Sequence, residues 1–207
     1  MSAESRDCPI AKVDFEEAKT LGDLAALTQD LGAVMLTCTR LMDVIEENSK
    51  DHILVEALWT SALVRYSRCF ANGKRFGLEE SLFSGLNGDP IAAHRYFMGM
   101  RNKHIAHSVN HFEQMEVGLV LEPQDRGERK IIGVSTLAMR HITSDREGVR
   151  QLGMLAKVLL TKVTGMAKQL EQDVLAIGRT LPLDDLYSRA IPRVVAPGPD
   201  AATKSRQ

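Results

Sequence analysis

Seven residues, Arg101-Asn102-Lys103-His104-Ile105-Ala106-His107, bring together two cations, an amide and two imidazoles. Four of the six histidines fall between His94 and His111. On an α-helix, Arg101, His104 and His107 step by three, each displaced by about 60°, so Arg101 and His107 flank His104 on one broad face. About 9 Å of axial rise separates Arg101 from His107. A long Arg side chain spans much of that gap, and a second copy of the helix across a twofold axis closes the rest. A guanidinium grips phosphate oxygens through parallel N–H donors and keeps its charge. Histidine exchanges a proton near neutral pH. Together, with no metal and no other cofactor, these groups suit internal transesterification of RNA. The 2′-OH attacks the adjacent phosphate, the imidazole moves a proton, and the guanidinium stabilises charge growing on the phosphate oxygens.

The elements that must hold this stretch are set by periodicity. Leu24, Leu27, Leu31, Met35, Cys38, Leu41, Met42 and Ile45 recur at three- and four-residue steps, predicting a first helix from a capping box at Thr20-Asp23 to about Glu47. A second helix is expected from about Ser49 or Lys50 to Asn72, capped by Ser49 or Asp51 and stopped at Asn72-Gly73. Its buried side is read as Ile53, Leu54, Ala57, Leu58, Ser61, Val64 and Phe70, and Trp59 and Tyr66 are read as core or interface. A short helix falls within residues 73–89. Asp89-Pro90 then opens a third helix, whose C-terminal half is the histidine-rich stretch. Ile105 and Ala106 give that half an apolar back. From Met115 the period drops to two, and returns to it at Ile132, so a β-hairpin is expected over about residues 114–138. Two strands alone are marginal, so the hairpin must lie against the helices or a partner chain. Ser144 or Asp145 caps a last long helix to about Ile177 or Gly178. At roughly 50 Å it is longer than a compact bundle needs, and a dimer contact is one use for the surplus. A short helix is expected over Pro182 to Tyr187. Residues 1–12 are read as a flexible N-terminus, 13–190 as the helical domain and 191–207 as a disordered tail. The fold class expected is all-α in the main, a four-helix up-down bundle with an inserted hairpin.

Arg101-Asn102 with His107 five residues further on resembles the R-x(4–6)-H motif of the HEPN superfamily, in which a polar residue commonly comes after the Arg. The wider string RNKHIAH is similar to that of its abortive-infection, AbiU-like branch. The motif covers seven residues; the helix order is similar over roughly Thr20 to Ile177. The resemblance implies that Arg101 and His107 are a catalytic pair, with Asn102 their polar neighbour and His104 secondary. It further implies a metal-independent endoribonuclease completed by homodimerisation, with RNA as substrate, an antitoxin protein as partner, and a toxin–antitoxin or phage-defence setting.

Other readings fit the same residues. An Arg and two His near a helix C-terminus favour the helix dipole and its last carbonyls. A non-catalytic helical module would use this face, or the long helix, to bind a nucleotide or a second chain. His104, His107 and His111, spaced i, i+3, i+7, share a face that suits zinc with an open fourth position, and so a metal-dependent hydrolase. No H-E-x-x-H string accompanies them, and Glu113 is the one nearby carboxylate.

Composition bounds these readings. The 207 residues carry a net charge of −1, which gives no global attraction to nucleic acid or anionic lipid. Any phosphate-binding surface must be local. From Arg65 to His111, seven cations oppose three anions, a net +4, matching either a phosphate-facing patch or the solvated faces of two helices. Aromatic residues make up 5% of the chain against 44% hydrophobic residues overall, a balance that suits helices better than a β-sandwich. Cys8, Cys38 and Cys69 show no metal or disulfide spacing, which predicts reduced thiols. The chain has neither a signal-peptide core at its start nor a window of the ~20 apolar residues needed to span a membrane, so a cytoplasmic protein is expected.

Overall fold

The computed structural model describes residues 9–71, 73, 75–105, 113–123, 125, 127, 129–140, 142–191 and 198; the side chains of His104, Ile105, Glu113, Arg140 and Ile191 lie outside that description. The protein is mainly helical. In chain order the elements are β1 (Ile10–Ala11), α1 (Glu16–Glu46), α2 (His52–Arg68), a 3₁₀ turn (Glu80–Phe83), α3 (Pro90–Met100), a π-helical segment (Arg101–Ile105), β2 (Glu113–Leu121), β3 (Ile131–Arg140), α4 (Arg146–Gly178), α5 (Leu183–Ser188) and β4 (Ala190–Ile191). They fall into two compact units: Asp23–Ala167, and Met1–Gly22 with Lys168–Gln207.

In the smaller unit, β1 pairs antiparallel with β4 through Ile10↔Ile191 and Ala11↔Ala190. Ile10 and Ala11, within the stretch read as a flexible N-terminus, and Ile191, the first residue of the expected tail, thus take part in a two-residue ladder. Periodicity cannot signal so short a pairing. The rest of the expected tail, and residues 1–8, lie outside the described residues.

The larger unit holds the core. Leu24, Leu27, Leu31, Val34, Cys38, Leu41 and Val44 of α1 are buried along one stripe. The helix starts at Glu16, so Thr20 lies inside it and caps nothing. Glu16 and Glu17, in its first turn, favour the positive end of the helix dipole. At the other end Asn48 takes a left-handed conformation (φ 50°). There Ser49 N–H donates to Val44 O at 3.2 Å and Asn48 N–H to Ile45 O at 3.1 Å, a Schellman stop.

α2 is capped by Asp51, whose Oδ1 accepts from Leu54 N–H at 2.9 Å. It ends at Arg68, short of the expected stop; Asn72 lies outside the described residues. Its buried face also differs from the expected one. Val55, Trp59, Ala62, Leu63 and Tyr66 face inward, whereas Ile53 is 81% exposed and Leu54 and Ala57 are exposed too. The two aromatic residues favour this rotation, because each is a larger apolar side chain than any single aliphatic residue of the stripe beside it and both are fully buried. α3 begins after Asp89, whose Oδ1 accepts from Ala92 N–H at 3.0 Å, with Pro90 in the first turn. α4 buries Val149, Leu152, Leu155, Ala156, Leu159 and Val163. It runs close to α1 at Gly153, where an added Cβ would stand 3.2 Å from Cys38 Cβ. Lys162 Nζ, from α4, donates to Leu82 O, and Arg146 pairs with Glu46.

One charged residue sits within the α1 stripe. Asp30 is 2% exposed and collects three guanidiniums. Arg68 donates to it twice, Nε to Oδ2 at 2.8 Å and Nη2 to Oδ1 at 2.5 Å. Arg75 Nη1 donates to Oδ2 at 3.1 Å and Arg65 Nη1 to Oδ1 at 3.5 Å. The loop carrying Arg75 is also fixed by Phe76 N–H donating to Asp23 Oδ2 at 2.9 Å and Leu78 N–H to Cys69 O at 2.8 Å. Burial by itself would raise the Asp30 carboxyl, but the bonds from Arg68 and Arg75 outweigh it and hold the group below the usual carboxylate range. Asp30 thus ties α1 to α2 and to the loop after it. Asp30→Asn is expected to lower unfolding stability by about 2–3 kcal/mol, somewhat under the loss for a fully buried pair because Arg65 and Arg68 keep contact with water. Urea denaturation with unchanged slope and a lower midpoint would bear this out; an unchanged midpoint would contradict it.

Candidate functional site

α3 brings the chemically marked stretch to the edge of the core. Phe97 and Met100 are buried and anchor the end of the helix. Phe97 meets Trp59 edge-on at 6.1 Å between ring centres and Tyr66 at 6.4 Å. At Arg101 the hydrogen-bond register lengthens and Arg101–Ile105 form a π-helical turn. Gly99, two residues earlier, lowers the cost of leaving the α register, since Gly is about 1 kcal/mol poorer than Ala in an α-helix.

This corrects the expectation that the stretch continues α3. Bonds from i to i+5 widen the turn, so the α-helical projection that set Arg101 and His107 on either side of His104 does not apply across Arg101–Ile105. Arg101 is half-buried, while Asn102 and Lys103 are exposed. Arg101 Nη1 donates to Asn102 Oδ1 at 3.0 Å. The side chain of His104, and His107 and His111 entirely, lie outside the described residues, so the Arg–His pairing and the three-histidine metal set are known from sequence alone.

His94 is a different kind of histidine from its neighbours in the cluster. It is 6% exposed. Its Nδ1 shares a hydrogen bond with Tyr66 Oη at 2.9 Å. Its ring lies 4.3 Å from Phe70 and 5.3 Å from Phe83, centre to centre. Burial pushes the imidazole below its ordinary value and pushes the Tyr66 phenol up. His94 is part of the α2–α3 packing and is not a surface histidine.

The local charge balance also changes. Arg65, Arg68 and Arg75 converge on Asp30, which lies outside the window that sequence counting used. Arg95 holds Glu80 through two bonds, Nη2 to Oε1 at 2.6 Å and Nε to Oε2 at 3.1 Å. Among the described residues, Arg101 and Lys103 have no carboxylate partner. Asp30 itself had a signal in the sequence: it stands three residues after Leu27 and four before Val34, inside an apolar stripe, where a lone carboxylate must find a partner. Cys38 and Cys69 are free thiols, buried and pushed up to about 12 by burial, so neither is a nucleophile near neutral pH.

Comparison with protein-family models, curated proteins and solved structures gives no match for this chain.

The buried His94 makes stability depend on pH. Its folded value lies below the ordinary 6.5. Its contribution is therefore complete above about pH 6.5 and is lost as pH falls towards the folded value, because the unfolded chain takes up a proton that the folded one refuses. Wild type should lose thermal stability between about pH 7.5 and 5.5. His94→Gln, which stays neutral, should show a smaller loss over that interval, whatever its stability at the upper end. Identical slopes for the two proteins would contradict this role.

Proposed function

We propose that the chain is a metal-independent endoribonuclease of HEPN type, built on a four-helix up-down bundle and acting as a homodimer on RNA. The observation that carries the reading is the Arg101–Asn102 pair, set in an Arg-Asn-x(4)-His string at the end of a helix whose other side is locked in the core. Arg101 meets the scissile phosphate and stabilises the charge that grows on its oxygens. Asn102 orients the guanidinium through the bond it accepts from Nη1. His107 takes the proton of the 2′-OH as that oxygen bonds to phosphorus; the P–O5′ bond breaks and the leaving 5′-oxygen takes up a proton to depart as a 5′-OH, with His104 in a secondary part. Lys103 adds a solvent-facing cation for the RNA backbone. A π turn at this place agrees with a site under functional constraint, since such turns recur at functional sites. Toxin–antitoxin or phage defence in the cytoplasm is the setting that the motif suggests, with an antitoxin protein as the regulating partner.

A non-catalytic interaction module is the second reading, favoured by the apolar side chains that the hairpin and α2 leave in water. The two readings separate on turnover. Purified wild type is expected to cleave single-stranded RNA equally with and without EDTA. Arg101→Ala is expected to reduce the rate by about 10²–10³ and His107→Ala by about 10²–10⁴, with unchanged circular dichroism and melting. Variants as active as wild type would sink the assignment, and the absence of turnover in wild type would favour the module.

A further inference from the structure

The cluster around Asp30 holds more positive charge than its carboxylate can balance. Oδ1 accepts from Arg68 Nη2 and Arg65 Nη1, and Oδ2 from Arg68 Nε and Arg75 Nη1. Those bonds fill the roughly four acceptor sites of a carboxylate. Its single negative charge answers one of the three cations. Among the described residues, no second carboxylate pairs with Arg65, Arg68 or Arg75, so a surplus of two positive charges stands at one place. Asp23, two turns earlier on α1, lies about 10 Å away along the axis and accepts from Phe76 N–H.

The fold does not call for that surplus. Arg68 alone holds Asp30 by two parallel bonds, the arrangement a guanidinium and a carboxylate favour. Arg65 and Arg75 add like charges at close quarters, where they repel. The carbonyls at the end of α2 are served by the backbone. Tyr66 O, Ser67 O and Arg68 O accept from the N–H groups of Cys69, Phe70 and Ala71, and Cys69 O accepts from Leu78 N–H.

The three arginines differ in what they offer. The side chains of Arg65 and Arg68 are 42% and 53% exposed, while that of Asp30 is 3% exposed. Among the described residues, Arg65 Nε and Nη2 and Arg68 Nη1 have no acceptor. Arg75 is the more enclosed, and its Nε and Nη2 are buried without a hydrogen-bond partner. Water screens its charge poorly there, so its field reaches the neighbouring guanidiniums.

We propose that Arg65 and Arg68 bind a terminal phosphate group in its doubly charged form at the surface of this cluster, with Arg75 supplying charge from within. Two negative charges match the surplus of two. The guanidinium fork suits phosphate oxygens, and clusters of arginine are a recurring means of holding phosphorylated ligands. A phosphodiester carries one charge and balances half of the surplus. The ligand class is therefore a phosphomonoester or inorganic phosphate. This site is distinct from the Arg101 motif. Arg68 closes α2, whereas α3 runs from His94 beside Tyr66 to Phe97 beside Trp59 and carries Arg101 towards the opposite end of α2. The inference does not rest on the ribonuclease reading.

Isothermal titration calorimetry on the full chain tests it, with Arg101→Ala and Lys103→Ala introduced to remove the motif cations. Inorganic phosphate and adenosine 5′-monophosphate should each bind saturably at a single site per chain. Equal affinities mark a site for the phosphate alone, and tighter binding of the monophosphate marks one that also touches the nucleoside. A dinucleotide whose phosphate is a 3′,5′-diester should bind at least about tenfold more weakly than the monophosphate. Arg65→Gln removes the longest of the Asp30 contacts. It should weaken both phosphates by about tenfold or more, with helical signal and melting unchanged. Arg65→Lys, which keeps the charge and loses the fork, should recover part of the affinity. Absence of saturable binding, an unchanged affinity in Arg65→Gln, or a diester bound as tightly as the monophosphate would overturn the proposal.

Discussion

The packing of Trp59, Tyr66, His94 and Phe97 between α2 and α3 is the contact on which the rest depends. It turns α2 so that its aromatic residues face inward. It fixes α3 by an aromatic edge and by a buried Tyr–His hydrogen bond. Because Met100 completes the same core, the register change at Arg101 begins from a rigid base. A side chain that must meet a phosphate within a few tenths of an ångström needs such support. The same rotation of α2 turns Ile53, Ala57, Ser61 and Val64 outward.

Electrostatics adds a second constraint. Asp30 gathers Arg65, Arg68 and Arg75, and Glu80 takes Arg95, so these cations meet a carboxylate. Among the described residues, Arg101 and Lys103, the two cations of the motif, have no carboxylate partner. This makes a chain of nearly neutral charge compatible with a phosphate-binding site. In the proposed reading, attraction would come from a few unneutralised groups beside a helix end, with weak long-range steering.

Much of the fold was legible in the sequence because long helices repeat their pattern many times. The stripe of α1, the Asp89-Pro90 start of α3, the hairpin and the Asp145–Gly178 reach of α4 all come from period and caps. The errors have physical sources. The α2 face went wrong because Trp59 and Tyr66 outweigh a more regular aliphatic series. The start of α1 went wrong because Thr20-Asp23 mimics a capping box while Asp23 is engaged with Phe76 N–H. The β1–β4 ladder is two residues long and joins distant parts of the chain, which no local pattern reports. At the site, residue types were readable and geometry was not. A π turn has no clear sequence signature, and a helical wheel drawn through it misplaces the residues on its far side. His94 looked like one more reactive histidine because burial, not spacing, decides its role.

Transesterification by the Arg101–Asn102 to His107 string, with no metal, would leave a mark that fold and affinity do not. Attack by the 2′-OH retains the phosphate on the upstream fragment as a 2′,3′-cyclic ester, whereas metal-activated water would leave a free 3′-OH or a linear phosphate. Mass spectrometry of the fragments from a defined RNA, digested by the full chain in EDTA, reads that difference directly. The expected products carry 2′,3′-cyclic phosphate ends. Linear ends formed only when divalent metal is restored would contradict the proposed chemistry.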